Sequence, residues 1–553
     1  MTLFPYTDAL PISILTEKAR TWLGHFTWQQ APLVSMNGSL LLPAWTNREP
    51  NWRAEVKPTV CLNGQFHVEE GTFRGVEASS ADSHFVYSNM TWHLPDLHVT
   101  RPEGTLDLVH QANDETHEYY WHIISSIDLG ALRPLFPTNN LKAFNLANFE
   151  QPPHIEGEVR GKWYDYDSIG AKLHVAATNF TFRGQSVSSV ESDVEYTNRV
   201  LKMISPHAER GLQHGQADLV MIDFNKQRIY LTNGLSTADP DVIAHMLGEK
   251  TAHTLSPYHF VEPPVGRVNG EIPLHDDGTQ DVWFDLDGGP FQWWKFTVPH
   301  ISGRIHWWAD QLTLSDVHAA FYDGTAAGEA GFDFDSLDGA DFHFDFNVAK
   351  VNLHLLLADL TTRSNHLEGT VGGQLTVTHA NSKDWSSWQG NGHAKIHDGL
   401  LWEMPVFGIF STFFNAFVPG SGDSRFGNGQ ATYIITNSII TTDDLELRSA
   451  YMRLQYHGTV DFAGRLDAQV EAELLRDTWV IGRLVSLVFW PVTKAMEYQV
   501  TGTLGAPKLD PLYVPKFMLA PLHPFKALKD LMPPDSSSTN APPESSDTVP
   551  SSQ

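Results

Sequence analysis

Asp341-Phe-His-Phe-Asp-Phe-Asn-Val348 decides the fold class. Phe342, Phe344, Phe346 and Val348 alternate strictly with Asp341, His343, Asp345 and Asn347. Successive strand residues point to opposite faces, so this stretch has one apolar side and one wet side. Antiparallel sheets tolerate a wet face, whereas parallel sheets are generally covered on both. The same pattern appears on either side of this stretch. Leu466, Ala468, Val470, Ala472 and Leu474 alternate with Asp467, Gln469, Glu471 and Glu473. Val282, Phe284 and Leu286 stand beside Asp285 and Asp287, and Met452, Leu454 and Tyr456 repeat the rhythm.

These strands recur as a unit. Gly104-Thr-Leu-Asp-Leu108, Gly215-Gln-Ala-Asp-Leu219, Gly328-Glu-Ala-Gly-Phe332 and Gly458-Thr-Val-Asp-Phe462 are four versions of one phrase. The first three lie roughly 110 residues apart, as expected of a repeat architecture. A second phrase, G-x-V-x-G, stands at Gly157 to Gly161, Gly266 to Gly270 and Gly369 to Gly373, with a looser copy from Gly71 to Gly75. Repeated β units stack into an elongated sheet, which favours an extended surface over a single cleft. Short helices are expected over 14–23, over 239–247 after the Asp-Pro-Asp start, and over 353–362. Met404 to Val418 and Trp479 to Val492 carry apolar residues at steps of three and four, a broad greasy helical face. Such a face either lies in a membrane interface or caps the end of a sheet. The Ser-, Pro- and acid-rich segment from about residue 533 is expected to be disordered.

Composition excludes several classes. The chain of 553 residues is too long for one core. Its 65 acidic and 37 basic residues leave a charge of −28, the wrong sign for nucleic acid. Cys61 is the only cysteine, so neither a disulfide framework nor a cysteine zinc site is expected. No run reaches the ~18 to 20 apolar residues that span a bilayer. Residues 2–13 resemble the translation of a sequencing-adapter oligonucleotide, so 1–13 is expected to be an assembly artefact that stands in place of an upstream membrane anchor or signal.

No catalytic constellation emerges, and no enzyme, cofactor or metal is expected. His117 and His122 form HExxxH, not HExxH, and a five-residue step places them about 140° apart on a helix. On a strand they face opposite ways. Gly420-Ser-Gly-Asp-Ser424 lacks the nucleophile-elbow pattern. Paired acids such as Asp285 with Asp287 and Asp333 with Asp335, beside Trp293, Trp294, Trp307 and Trp308, keep open a glycan-binding or glycan-cleaving β-solenoid. A structural or adhesive surface protein is a third reading.

Gly390-Asn-Gly-His-Ala-Lys-Ile-His-Asp-Gly-Leu-Leu-Trp-Glu-Met-Pro-Val-Phe407 and the Phe-rich segment after it resemble the C-terminal region of the AsmA family of bacterial envelope proteins, whose wider group includes TamB-like proteins. The strand 367–379 and the ending Tyr498 to Lys508 fit the same resemblance. It divides the chain into repeated groove units over 14–260, an AsmA-like region over 261–515 and a C-terminal segment over 516–553. It implies a curved antiparallel sheet, a half-pipe whose apolar inner face conducts phospholipid between inner and outer membranes. It also implies a periplasmic protein, anchored in the inner membrane through a missing N-terminal segment. Phe332, Phe334, Phe342, Phe344, Phe346, Leu466, Val470 and Leu474 are the expected lining of that groove, with a closed sandwich core as the competing reading. Gly392, Gly399 and Pro405 match the family motif as structural residues. The partners expected are phospholipid and membrane.

Overall fold

The computed structural model describes residues 21, 23–44, 51–135, 147–247, 252, 258–274, 279–293, 296–334, 339–360, 368–399, 407, 426–449, 452–474 and 496–513. The protein is mostly β, with a few short helices. Among the described residues, twenty-nine strands form one long antiparallel sheet that does not close into a barrel, as the alternating sequence predicts. Three short strands, Tyr258–Phe260, Phe291–Trp293 and Phe296–Val298, pair separately.

Most strands pair with their neighbour in sequence, and the turns show why. At Asn89-Met90, Asn198-Arg199, Tyr322-Asp323 and Asn437-Ser438 both loop residues have positive φ. Arg74-Gly75 and Arg183-Gly184 do the same. Two successive residues of this kind make the tight hairpin turn whose twist matches the flanking strands. Gly75, the end of the looser G-x-x-x-G copy, is thus a turn residue.

The repeat is also visible in the hydrogen bonding. The strand before each glycine phrase carries a β-bulge: between Leu94 and Leu97, Ile204 and His207, Leu314 and Val317, and Thr442 and Leu445. A bulge leaves an amide of the neighbouring strand without its ladder partner. Asp96 Oδ1 accepts the His84 amide at 2.8 Å and Asp444 Oδ1 the Thr432 amide at 2.7 Å. The glycine phrases themselves are not all equivalent. Gly215, Gly328 and Gly458 lie inside the ladder, opposite Ala208, Val317 and Thr442. Gly104 sits at a hairpin end opposite Arg101, the place Gly324 takes opposite Phe321.

The chain forms two compact units, 1–346 and 347–553. The segment boundary read from the sequence, between 260 and 261, falls inside the first. In the first unit, helix α1 (Pro240–Leu247) occupies the expected span and packs on the strand Gln185–Thr197. Asp239 starts it, accepting the Asp241 amide through Oδ1 at 3.0 Å. In the second unit, helix α2 (Leu353–Leu360) contributes Leu353 and Leu357 to a closed core. That core comprises Phe407, Leu447, Met452, Leu454, Tyr456, Val470, Ala472, Met496, Tyr498 and Val500. Of the segments singled out in the sequence, 1–13 and 516–553 lie outside the described residues. So do most of 14–23, all of 404–418 except Phe407, 420–424 and 479–492.

Candidate functional site

The register of the first unit brings apolar residues of successive strands into line. Leu97 pairs with Leu108, Leu108 with Ile123, Ile123 with Gly157, and Gly157 with Leu173. The row continues through Val194, Met203, Val220, Leu231 and Gly270. Val282, Trp307, Leu312 and Phe332 complete it, and no charged residue interrupts it. Directly opposite side chains on one face lie ~4.5–5.5 Å apart, so neighbours along the row are within contact range except at Gly157 and Gly270. Glycine is needed at two crossings. Gly157 has φ +149° and Gly270 φ +144°, and a Cβ would come within 2.8 Å of Leu173 Cα and 2.7 Å of Val282 Cα, respectively.

Among the described residues this face is not sealed. Leu173, Val194, Met203, Val220, Leu231, Phe284 and Leu312 are all only half-buried. Aromatic rings crowd one stretch of it. Trp92 lies 4.7 Å from Tyr87, Trp121 4.8 Å from Tyr119, and Trp163 4.6 Å from Tyr119. Burial, with Asp114 nearby, pushes the Tyr87 phenol up to about 12. His110 also falls on this face, where it accepts the Trp121 indole N–H at 2.7 Å. Burial, then the nearby His93, lowers its pKa, so the ring stays neutral among apolar neighbours.

The opposite face is a ladder of charge. His67 pairs with Asp82, Asp82 also stands opposite His98, and His98 bonds Asp107 at 2.6 Å. Glu156, His174 and Asp193 form another such row, with His174 2.9 Å from Asp193. Arg267, Asp285 and Arg304 form a third. Hydrogen bonds to Asp82 and then Glu69 raise the pKa of His67; the bond to Asp193 comes first for His174.

The structure separates the eight expected groove residues. Phe332, Phe342, Phe344 and Phe346 are half-buried, and Phe334 is 45% exposed. Their rings follow one another: Phe334 to Phe332 at 6.4 Å, Phe332 to Phe342 at 6.0 Å, Phe342 to Phe344 at 6.3 Å, Phe344 to Phe346 at 5.9 Å. In the second unit Leu466 is half-buried against the core, whereas Val470 is 0% exposed inside it. At Val470 the apolar face is therefore packed core, under α2 and Phe407, and offers no open surface. Leu474 pairs through its backbone with Met452, and its side chain lies outside the described residues. A Cβ at Gly392 would come 2.5 Å from the Tyr433 hydroxyl, and Gly399 is buried, its Cα 2.7 Å from where Gly369 would carry a Cβ. Pro405 lies outside the described residues.

Missing from the sequence-based list are the residues of the long row, from Leu97 to Leu312, and the Tyr87–Trp92–Tyr119–Trp121 cluster. Their alternation is legible, but shared membership of one row depends on register, which bulges reset by a residue at a time. His117 takes a turn conformation at φ +62°, while His122 lies in the strand Glu118–Ser125. Among the described residues no three His, Cys, Asp or Glu side chains come together as metal ligands. Among them, too, no helix is long and apolar enough to cross a membrane. No family model matches the chain, and none of the curated proteins does.

Proposed function

We propose that this is a non-enzymatic protein of the bacterial cell envelope that holds phospholipid acyl chains on its apolar sheet face. It either moves them between the inner and outer membranes or serves to maintain the outer membrane. The observation that carries the reading is the apolar row from Leu97 to Phe332, half-buried at every position but the buried Val282 and backed by a charged opposite face. Each methylene withdrawn from water onto such a surface contributes about 0.8 kcal/mol, so one acyl chain supplies a large driving force without any chemical step. Headgroups remain in solvent. The likeness of Gly390 to Phe407 to the AsmA family motif points the same way, and membership of that family with a periplasmic location is part of the proposal.

The test is native mass spectrometry with lipid extraction on the purified full chain and on Phe344→Glu. Phospholipid at a reproducible ratio in the parent, reduced severalfold in a variant with unchanged circular dichroism, is the expected result. A folded, lipid-free parent, or lipid retained in full by the variant, overturns the reading.

A further inference from the structure

Two tryptophans lie on the wrong side of the sheet. Trp283 and Trp308 share the polar face with Asp285 and Arg304, and they are 43% and 54% exposed. An indole left in water on a strand's wet face forgoes a large burial gain, and two of them side by side form a patch rather than a scattered residue. Both rings belong to a built surface. Trp283 stacks on the imidazole of His306 at 3.7 Å, with the planes 5° apart. His306 Nε2 lies 2.9 Å from Asp281 Oδ1, which pins the stack. Trp308 stands directly opposite Asp281, which makes it a diagonal neighbour of Trp283, roughly 7–8 Å away.

The charges around these rings nearly cancel locally. Arg228 pairs with Glu271 at 2.9 Å and Arg304 with Asp285 at 2.7 Å; the third arginine, Arg267, stands opposite the same Asp285, and Asp281 and Asp287 share the face, so carboxylates slightly outnumber arginines. A phosphate-bearing ligand would require an excess of cations, and a membrane or apolar protein would require apolar surroundings. Two flat π surfaces set among preorganised hydrogen-bonding groups instead suit a chain of pyranose rings. Its C–H faces stack on the indoles, and its hydroxyls reach the carboxylates, guanidinium groups and the amide of Asn269, opposite Trp283. We propose that the polar face of strands Val265–Pro273, Asp281–Gly288 and His300–Trp308 binds a neutral β-1,4-linked glycan, with Trp283 and Trp308 as its stacking platforms. This site does not depend on the lipid reading, because it uses the opposite side of the sheet.

Affinity electrophoresis of the full chain in native gels containing hydroxyethyl cellulose or glycol chitin tests it. Retardation of the parent is expected in at least one gel. Each single change, Trp283→Ala or Trp308→Ala, weakens binding about tenfold, the scale of one stacking contact. The double alanine variant runs as in a plain gel while its phospholipid content matches the parent. Trp283→Tyr with Trp308→Tyr keeps the aromatic surfaces and retains retardation, which separates lost stacking from lost folding. No retardation in either gel overturns the proposal, as does undiminished retardation of the double alanine variant.

Discussion

At the scale of single residues, a shared motif conceals unlike surroundings. Gly215 and Gly458 open the same phrase, and the sequence treats them as equals. A Cβ on Gly215 meets nothing within 4 Å, whereas one on Gly458 would come 2.6 Å from Ala468 Cβ. The strand holding Ala468 is itself packed, with Ala468, Val470 and Ala472 all buried, so it has little room to move. Gly458→Ala is therefore expected to destabilise the second unit by about 1–3 kcal/mol, the usual cost of overpacking. Gly215→Ala is expected to be neutral or to stabilise by up to about 1 kcal/mol, because it restricts only the unfolded chain. Urea titration of both variants checks the contrast, and equal midpoints would show that the close approach at Gly458 relaxes freely. Close packing against a facing strand is what the sequence could not reveal here. It depends on which residue stands opposite, and that partner lies in a different strand.

At the scale of elements, alternation told faces apart but not registers. Asp341 to Val348 was readable as a strand with its phenylalanines on one side, α1 was readable from its Asp-Pro-Asp start, and α2 falls within the helix expected over 353–362. The bulges were not, because Ser205 and Asp316 with positive φ leave no strong mark in a strand of otherwise normal composition. Nor did the sequence show that histidines and carboxylates would meet across strands, since their separation of 15 residues for His67 and Asp82 and 19 for His174 and Asp193 depends on hairpin length. That ladder has a pH consequence. The folded-state pKa values of His67 and His174 are raised above the ordinary 6.5. Their stabilising contribution is fully present below about 6.5 and is lost as pH rises through the folded values. His110 acts in the opposite sense. Its pKa is lowered, so its contribution is present above 6.5 and is lost as pH falls. The urea midpoint of the parent is expected to fall as pH rises above about 6.5, and His67→Gln with His174→Gln to flatten that limb alone. An unchanged slope in the double variant would show that solvent screens these pairs completely.

At the scale of the whole molecule, the same alternating pattern has two outcomes. In the second unit the apolar face is closed, with Leu447, Met452, Leu454, Val470 and Val500 at or near zero exposure. In the first unit the apolar row stays half-exposed over most of its strands, with Tyr87, Tyr119 and Val282 as buried points on that face. Sequence patterning could not distinguish these outcomes, because a lining residue and a core residue are both simply apolar; the difference lies in whether another element covers them. It does have a thermodynamic signature. A closed core is stabilised by its own contacts, whereas an open apolar face gains most when something else removes it from water. A ligand present at 100 times its dissociation constant adds about 2.7 kcal/mol to the state that binds it. Stacked strands that contact only their neighbours share this gain along the unit. Differential scanning calorimetry is therefore expected to resolve two transitions. Extracting phospholipid should lower the one assigned to residues 1–346, as mapped by limited proteolysis, and leave the other in place. Returning dioleoyl phospholipid should restore it. If both transitions move together, or neither moves, the open face is not where the lipid acts, and the half-buried row would stand as a feature of the sheet's own folding.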